Sequence, residues 1–146
     1  MIPERAFKKL EALYGELAGE LPSVGGVCTA CGECCHFDRM DHELYASRLE
    51  IEYMKQCGRP PDWSQGPNVC PFLSPEGKCG ARAHRALGCR TYFRVLGDRP
   101  GAEALYEKYL RGIRKICREE KIPWEYTRVL AVLQSEGTRA WPSLSE

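Results

Sequence analysis

Four of the nine cysteines of this chain fall in one short segment, Cys28-Thr29-Ala30-Cys31-Gly32-Glu33-Cys34-Cys35. The segment contains two overlapping CxxC steps and one adjacent cysteine. A turning backbone with this spacing directs two sulfurs to one metal ion, about 2.3 Å from each, and its N–H groups can donate hydrogen bonds to the thiolates. The segment therefore predicts a metal-binding loop.

Three more cysteines follow at spacings of nine and ten residues, which extends the predicted site well beyond the first segment. Seven thiols suit one four-cysteine site plus a three-cysteine site completed by another ligand, or a cluster of metals that share thiolates. Cysteine sites accept zinc as well as iron–sulfur clusters such as 4Fe-4S, so both remain open. The candidate metal ligands are Cys28, Cys31, Cys34, Cys35, Cys70, Cys79 and Cys89.

Two histidines lie close enough in sequence to complete such a site. His36 directly follows the first segment, and His84 lies between the last two candidate cysteines. Imidazole binds both zinc and iron, so each is a candidate fourth ligand. His42 is expected on the surface. Cys57 and Cys117 are expected at the end and on the buried side of helices, where cysteine is often a small core residue, and neither is assigned to the site.

The apolar pattern predicts a mainly α fold around a long irregular module. Apolar residues at three- and four-residue steps predict helices over residues 3–19, 41–56, 102–120 and 123–137, with Asp41 as the N-cap of the second. We expect one domain over residues 1–146. Its cysteine-rich metal-binding module spans about 28–92, between helical segments at about 3–19 and 102–136.

Inside the module, glycines and prolines are frequent and the helical period fades. Short strands are predicted near 69–73 and 91–96, a turn at 74–77 and a helical turn within 80–87. A long irregular stretch of this kind needs something to order it. Metal coordination by its cysteines would do so.

Composition excludes several classes of partner and places the chain in a reducing compartment. Twenty-one basic and twenty acidic residues give a formal charge of +1, so no overall field favours nucleic acid or anionic lipid. The first twenty residues contain seven charged side chains, unlike a signal peptide, and no apolar run is long enough to span a membrane. We therefore expect a cytoplasmic protein whose cysteines serve metal or redox chemistry, with a protein or small molecule of unknown identity as partner.

A basic and aromatic patch near the last cysteine raises the alternative of a nucleic-acid surface. Near-neutral total charge favours a solvated face, or positive surroundings for anionic thiolates, over nucleic-acid binding. The patch consists of Arg82, Arg85, Arg90, Tyr92, Phe93, Arg94 and Arg99.

An ordered set of motifs resembles the YkgJ-like CxxCxxCC family of zinc- or iron-chelating cysteine-cluster proteins. The motifs are the CxxCxxCC segment at 28–35, Cys70-Pro71-Phe72-Leu73, Gly77-Lys78-Cys79 and Arg85-x-x-x-Cys89-Arg90. The resemblance covers roughly residues 28–92. The chain departs from the family pattern at Ala81-Arg82, where an Ile-Tyr pair is usual, and at Ala86, where proline is usual. The seven ligands still match.

The resemblance also implies an enzymatic alternative, because the family includes the cysteine-rich region of flagellin lysine methylases, which work with an iron–sulfur centre. Three hypotheses follow. The first is a metal-binding module that presents a surface to a partner. The second is an iron–sulfur or multinuclear iron enzyme that modifies a protein or small molecule by methylase-like or redox chemistry. The third, ranked last, is a zinc-stabilised nucleic-acid-binding domain. Sequence alone leaves open whether the chain is an enzyme.

Overall fold

The structure is a computed structural model that describes residues 2–24, 44–91 and 99–135. Helices dominate these ranges, which confirms the mainly α prediction. In chain order the elements are α1 (Glu4–Glu20), β1 (Tyr45–Ser47), α2 (Arg48–Lys55), α3 (Leu87–Thr91), α4 (Arg99–Glu119), β2 (Tyr126–Arg128) and α5 (Val129–Ser135). Short 3-10 turns occur at Leu21–Val24 and Arg82–His84.

The two long helices, α1 and α4, pack against each other and build a first core. Gly112 of α4 permits their close approach, because a Cβ there would lie 3.0 Å from Cδ1 of Leu13. Apolar residues repeated at helical spacing put one face of each helix inside this core. We name it the helical core; its buried members are Ala6, Phe7, Leu10, Tyr14, Leu17, Val24, Leu49, Tyr53, Leu87, Ala102, Leu105, Tyr109, Ile113, Ile116 and Cys117.

Two ion pairs join α1 to the α4 side of this helix pair, and their positions show that the two helices run antiparallel. At one end, the Lys9 ammonium lies 2.7 Å from the Glu120 carboxylate, just beyond the end of α4. At the other end, Lys108 lies 2.9 Å from Glu20, the last residue of α1. Exposed pairs of this kind contribute about 0–1 kcal/mol each, so apolar burial provides most of the stability.

The short strands β1 and β2 pair in antiparallel register and fix where two helices begin. Tyr45 lies opposite Arg128 in the pair. The Arg48 N–H, at the start of α2, donates to the Glu125 carbonyl over 2.9 Å, and the Val129 N–H, at the start of α5, donates to the Leu44 carbonyl over the same distance. The predicted fourth helix therefore began too early, because residues 126–128 are drawn into this sheet.

Short strands are present, as the sequence predicted, but they lie at Tyr45–Ser47 and Tyr126–Arg128 and not at residues 69–73. Residues 69–73 form turns and an isolated bridge from Leu73 to Cys79, since the Leu73 N–H closes a turn with the Cys70 carbonyl at 3.0 Å. Thr91 is the last residue of α3, and residues 92–96 lie outside the described ranges. Apolar content suggested extended strands, but the local hydrogen bonds form turns instead.

The second helix begins later than predicted, at Arg48. Its N-cap is Ser47, whose hydroxyl accepts from the Glu50 N–H at 3.3 Å, while the Glu50 carboxylate accepts from the Ser47 N–H at 2.8 Å. This reciprocal capping box supplies a stronger helix start than a single cap. Asp41, the predicted N-cap, lies outside the described residues.

A second core collects the cysteine-bearing segment together with α2, β1 and α5. It is built largely from turns and short elements between residues 44 and 86, and α5 covers it from the far end of the chain. We name it the cysteine core. Its buried members are Leu44, Ala46, Ile51, Met54, Val69, Cys70, Phe72, Leu73, Ala81, Ala86, Val129 and Leu133, and Cys57, Trp63, Cys79, Cys89 and Val132 pack against it while partly exposed.

Candidate metal centre

A compact hairpin holds the two cysteines at positions 70 and 79. The Gly80 N–H donates to the Phe72 carbonyl at 2.7 Å, and the Ser74 N–H donates to the Lys78 carbonyl at 2.7 Å. The predicted turn at its tip is confirmed: the Gly77 N–H donates to the Ser74 carbonyl at 2.9 Å, and Gly77 has φ of +83°, which favours glycine. The hairpin therefore brings Cys70 and Cys79 near its open end.

The third candidate ligand, Cys89, lies on the short helix α3. Gly88 lets this helix approach β1 closely, because a Cβ at that position would lie 2.8 Å from Cδ1 of Leu44. Cys89 is partly exposed and packs against the cysteine core, whereas Leu87, two residues earlier, is buried in the helical core. Helix α3 thus contacts both cores and orients its cysteine toward one of them.

A buried carboxylate, Glu50, fixes the start of α3. It is 1% exposed. One carboxylate oxygen accepts from the Leu87 N–H at 2.8 Å and from the Tyr14 hydroxyl at 3.1 Å, and the other accepts from the Ser47 N–H and hydroxyl, both at 2.8 Å. Four donors satisfy a group that would otherwise be costly to bury. Glu50 therefore joins α1, α2 and the helix that carries Cys89.

Tyr14 contributes to this arrangement through both its hydroxyl and its ring. Burial raises the pKa of Tyr14 well above its usual value, and the Glu50 charge raises it further, although Arg90 lowers it. The hydroxyl therefore stays protonated and remains a donor to Glu50 at neutral pH. The Arg90 guanidinium lies 3.9 Å from the centre of the Tyr14 ring, in the geometry of a cation–π contact.

Two arginines of the predicted basic patch, Arg85 and Arg90, donate hydrogen bonds to backbone carbonyls of the protein itself. The Arg90 guanidinium donates to the carbonyls of Arg85 and Ala83, at 2.8 and 3.0 Å, and Arg85 donates to the Arg82 carbonyl at 2.9 Å. These contacts order the backbone between Cys79 and Cys89. Tyr92, Phe93, Arg94 and the side chain of Arg99, the rest of the patch, lie outside the described residues.

The three described candidate ligands share one environment. Cys70 is 6% exposed, and Cys79 and Cys89 are partly exposed at the same core. None of the five cysteines that the structure describes forms a disulfide. Within residues 2–24, 44–91 and 99–135, no three His, Cys, Asp or Glu side chains are arranged so that they could hold a metal ion. The other predicted ligands, Cys28, Cys31, Cys34 and Cys35, and the candidate ligand His36 lie outside these ranges, as does His42, which was expected on the surface.

His84 stands against an aromatic ring of the helical core. Its imidazole and the Tyr53 ring have centroids 4.7 Å apart. Burial is the main effect on His84 and lowers the pKa of its imidazole. The Glu11 charge raises this pKa and the Arg90 charge lowers it, and the net result is a lowered pKa. At neutral pH the imidazole is therefore uncharged, the form that can bind a metal.

Sequence reasoning treated the two remaining cysteines alike, and the structure separates them. Cys117 is 2% exposed in the helical core, where burial raises its pKa to about 11, as expected for a core thiol. Cys57 instead packs against the cysteine core while partly exposed. Burial raises the pKa of Cys57, and Cys79 and Cys70 raise it further, although the Arg59 backbone lowers it. The available signal was its position beside Gly58, at a helix end that opens into the cysteine module.

Glu50 was also missed, although Ser47-x-x-Glu50 is the sequence pattern of a capping box. A cleft of about 580 Å³ is lined by the start of α1, α2 and the segment after α4. Its lining includes Arg48, Glu52 and Glu125, but neither cysteine nor histidine. The cysteine core therefore remains the candidate site among the described residues.

Comparison with known proteins gives one match. A family model described as "CxxCxxCC: Putative zinc- or iron-chelating domain" matches residues 27–126, more than half of the chain. Searches among curated proteins and among solved structures found no match. Each helix in the described ranges is too short or too polar to cross a membrane.

Proposed function

The chain belongs to the CxxCxxCC family of zinc- or iron-chelating domains, and from that premise we propose that seven of its cysteines bind the metal. The described residues supply three of them, and the CxxCxxCC segment at 28–35 supplies four. Zinc and an iron–sulfur cluster are both compatible with a site of this composition. The proposed ligands are Cys28, Cys31, Cys34, Cys35, Cys70, Cys79 and Cys89.

The observation that carries the proposal is the convergence of Cys70, Cys79 and Cys89 on one core. Cys70 and Cys79 lie in a hairpin and Cys89 lies on a helix, at intervals of nine and ten residues. The three cysteines therefore reach the same core through the tertiary fold, and not by repetition along one helix. Cys70 is nearly buried, so binding a ligand as a thiolate there would require a compensating positive charge. A bound metal ion would supply it, and coordination would release the thiol protons to solvent.

The second candidate is an iron–sulfur or multinuclear iron enzyme. Seven thiols exceed the four that close a tetrahedral structural site, so a replaceable coordination position can remain. The partial exposure of Cys79 and Cys89 supports this version, because solvent or a small substrate can approach the cysteine core from their side. Such a centre, when bound, would supply redox or methylase-like chemistry on a protein or small-molecule substrate.

The redox state of the thiols indicates the compartment of the protein, and the hydrogen bonds of the arginines bear on its partners. Metal-binding thiols remain reduced in the cytoplasm, where we place the protein. A nucleic-acid partner is not expected, because Arg85 and Arg90 direct their guanidinium groups to backbone carbonyls.

The deciding experiment is an ultraviolet–visible spectrum with metal and acid-labile sulfide analysis on protein purified without oxygen. Broad visible absorption with iron and sulfide supports the enzyme or electron-transfer version. A colourless protein with zinc bound supports a structural or partner-binding module. Protein that contains no metal, and takes up neither zinc nor iron on reconstitution, overturns the proposal.

Serine variants test the ligand set. We expect Cys70→Ser and Cys89→Ser to weaken zinc or iron binding at least about tenfold, because the loss of a group that only supports a ligand already costs about that much. Cys117→Ser is the matched control, because Cys117 lies in the helical core and should leave binding unchanged. Unchanged affinity in both ligand variants would contradict the assignment of these residues.

A further inference from the structure

The cleft of about 580 Å³ has three walls, which come from distant parts of the chain. They are the start of α1, helix α2, and residues 120–125 between α4 and β2, which we name the joining segment. Phe7 and Ile122 contribute apolar surface to the cleft. Arg48, Glu52 and Gln56 recur at four-residue steps and form one polar row along α2 to its C-terminal end. A cleft of this size, with apolar surface and a few polar groups, is typical of sites for small molecules.

Backbone hydrogen bonds hold the joining segment at both ends. At its start, the N–H groups of Lys121 and Ile122 donate to carbonyls in the last turn of α4, at 3.3 and 2.8 Å. This pair of bonds is the Schellman pattern that ends a helix. At its other end, the Arg48 N–H donates to the Glu125 carbonyl at 2.9 Å. The side chains of the joining segment therefore extend from a backbone that is fixed beside the cleft.

Lys121 occupies a backbone position where glycine is usual. It follows the C-cap of α4 and has φ of +58°, and among the described residues it is the only one other than glycine with a positive φ. A Cβ disfavours this left-handed conformation, so glycine would be the more stable choice. The local backbone therefore gives no reason for a lysine here. Its side chain lines the cleft, where an ammonium group can contact a ligand.

Two opposite charges of the cleft lack an ion-pair partner within residues 2–24, 44–91 and 99–135. They are the Lys121 ammonium and the Glu125 carboxylate, one near each end of the joining segment. The other charges of the lining are paired. Glu52 lies 2.6 Å from the Arg48 guanidinium, and Glu120 binds two cations of α1. The cleft thus offers one cation and one anion beside apolar surface.

The two charges are close enough to contact one small ligand. An extended chain advances about 3.3–3.6 Å per residue, so the Cα atoms of Lys121 and Glu125 are at most about 14 Å apart. Both side chains are flexible and can shorten this span. A ligand with only a carboxylate would be repelled by Glu125, and one with only an ammonium would be repelled by Lys121. Charge complementarity therefore favours a ligand that carries both groups.

We propose that this cleft binds a small apolar zwitterion, which is an apolar amino acid or a short peptide with free ends. The Lys121 ammonium binds the carboxylate of the ligand, and the Glu125 carboxylate binds its ammonium group. The apolar body of the ligand packs on Phe7 and Ile122. This site contains no cysteine, so the inference is independent of the proposed metal centre.

The first test titrates the full chain, labelled with nitrogen-15, with leucine and with the tripeptide alanyl-leucyl-alanine at about pH 6.5, where both ends of each ligand are charged. We expect at least one of them to bind with a dissociation constant of about 1 mM or lower. The amide signals of Phe7 and Ile122 should shift, while that of Leu73 in the hairpin should not. The tighter of the two ligands identifies the source of the zwitterion.

Two analogues of leucine, each with one charge, show whether both ends are recognised. N-acetyl-leucine keeps only the carboxylate, and leucine amide keeps only the ammonium group. We expect each analogue to bind about fivefold more weakly than leucine, since an exposed ion pair contributes about that factor. Equal binding of leucine and both analogues would mean that only the apolar surface is used, and the inference would be wrong.

Charge-reversal variants assign the two ends of the ligand to the two side chains. Lys121→Glu should prefer leucine amide to leucine, because the cleft then presents two free carboxylates. Glu125→Lys should prefer N-acetyl-leucine, because it presents two free ammonium groups. Lys78→Glu is the control, since Lys78 lies in the hairpin and does not line the cleft. Unchanged preferences in both cleft variants would contradict the assignment.

Lys121→Gly tests the site in a variant that should be more stable than the unaltered protein. We expect its thermal unfolding midpoint to rise by about 2–4 °C, because glycine suits the left-handed position. Its affinity for leucine or the tripeptide should fall about fivefold. Unchanged affinity would remove Lys121 from the site. If neither ligand shifts the Phe7 and Ile122 signals at about 10 mM, the inference is wrong, whatever metal the protein binds.

Discussion

The helical core and the cysteine core reach their order by different means. In the helical core, two long antiparallel helices bury side chains that recur at helical spacing. In the cysteine core, most of the chain between α2 and α3 is joined by single turns and isolated backbone hydrogen bonds. A periodic apolar pattern is therefore sufficient to organise the first region. The second gains from any additional bond, and the metal coordination that we propose for its cysteines would supply one.

The largest expected effect on stability comes from a substitution in the helical core. Ile113 is fully buried in α4, so Ile113→Ala removes apolar contacts and leaves a cavity. We expect a loss of about 2–5 kcal/mol in the free energy of unfolding, measured by urea denaturation. The metal content of the protein that remains folded should stay unchanged. The exposed Lys115→Ala serves as control, and a loss below about 1 kcal/mol for Ile113→Ala would contradict the importance assigned to this core.

Removal of metal should act on the other region. With free metal at 100 times its dissociation constant, binding stabilises the bound fold by about 2.7 kcal/mol. Hydrogen exchange should therefore accelerate roughly a hundredfold in the segment 57–91 after chelation, because coordination no longer opposes its local opening. Amides of α1 and α4 should change much less. Equal acceleration in both regions would mean that the two cores open together.

The buried Glu50 tests how the two regions are joined. The Glu50→Gln variant replaces one carboxylate oxygen by an NH2 group. In one orientation of the amide this group faces the Leu87 N–H, and in the other it faces the Ser47 N–H. Neither N–H can accept a hydrogen bond, so one pairing is lost in both orientations. We expect a loss of about 1–3 kcal/mol in the free energy of unfolding. Exchange of the α3 amides should rise more than that of α4. Glu52→Gln on the same helix, partly exposed, is the control, and equal effects of the two variants would argue against Glu50 as a link.

The smallest effects should have opposite signs in the two regions. Gly15 lies inside α1 and Gly77 in the hairpin turn, and a Cβ at either position would meet nothing within 4 Å. Gly15→Ala should stabilise the protein by about 0.5–1 kcal/mol, since alanine favours a helix. Gly77→Ala should destabilise it by about 1–2 kcal/mol, because φ is +83° there. Thermal unfolding measures both, and a shared sign would mean that backbone conformation does not distinguish the two sites.

The parts of the fold that follow a local pattern could be read from the sequence. Helix α1 and the Ser74–Gly77 turn were both expected, because apolar spacing and turn residues specify them locally. The pairing of β1 with β2 could not be read, since residues 45 and 128 are brought together by the tertiary fold and each strand is only three residues long. Intrinsic preference in such short segments yields to packing.

The sequence predicts which residues belong to the candidate site better than it predicts how they are arranged in space. Spacing and residue type single out Cys70, Cys79 and Cys89, and the structure brings them to one core, although the ligand roles remain a prediction. The surroundings of Cys57 and Glu50 could not be predicted from the local sequence, because the residues that contact them come from distant parts of the chain. The first gains its neighbours from a hairpin more than ten residues away, and the second links residues 14, 47 and 87.

The pairing of β1 with β2 also affects the order of events during synthesis. Arg128, the last residue of β2, lies 39 positions after Cys89. At usual translation rates, Cys89 is made about 2–8 s before the strand that completes the sheet beside α2. During that interval every candidate cysteine has been synthesised while the sheet is unfinished. We expect the thiols of the cysteine core to be more open to oxidation or to capture of the wrong metal during that interval than after α5 has packed on them, and a supply of the correct ion at the ribosome would shorten this exposure.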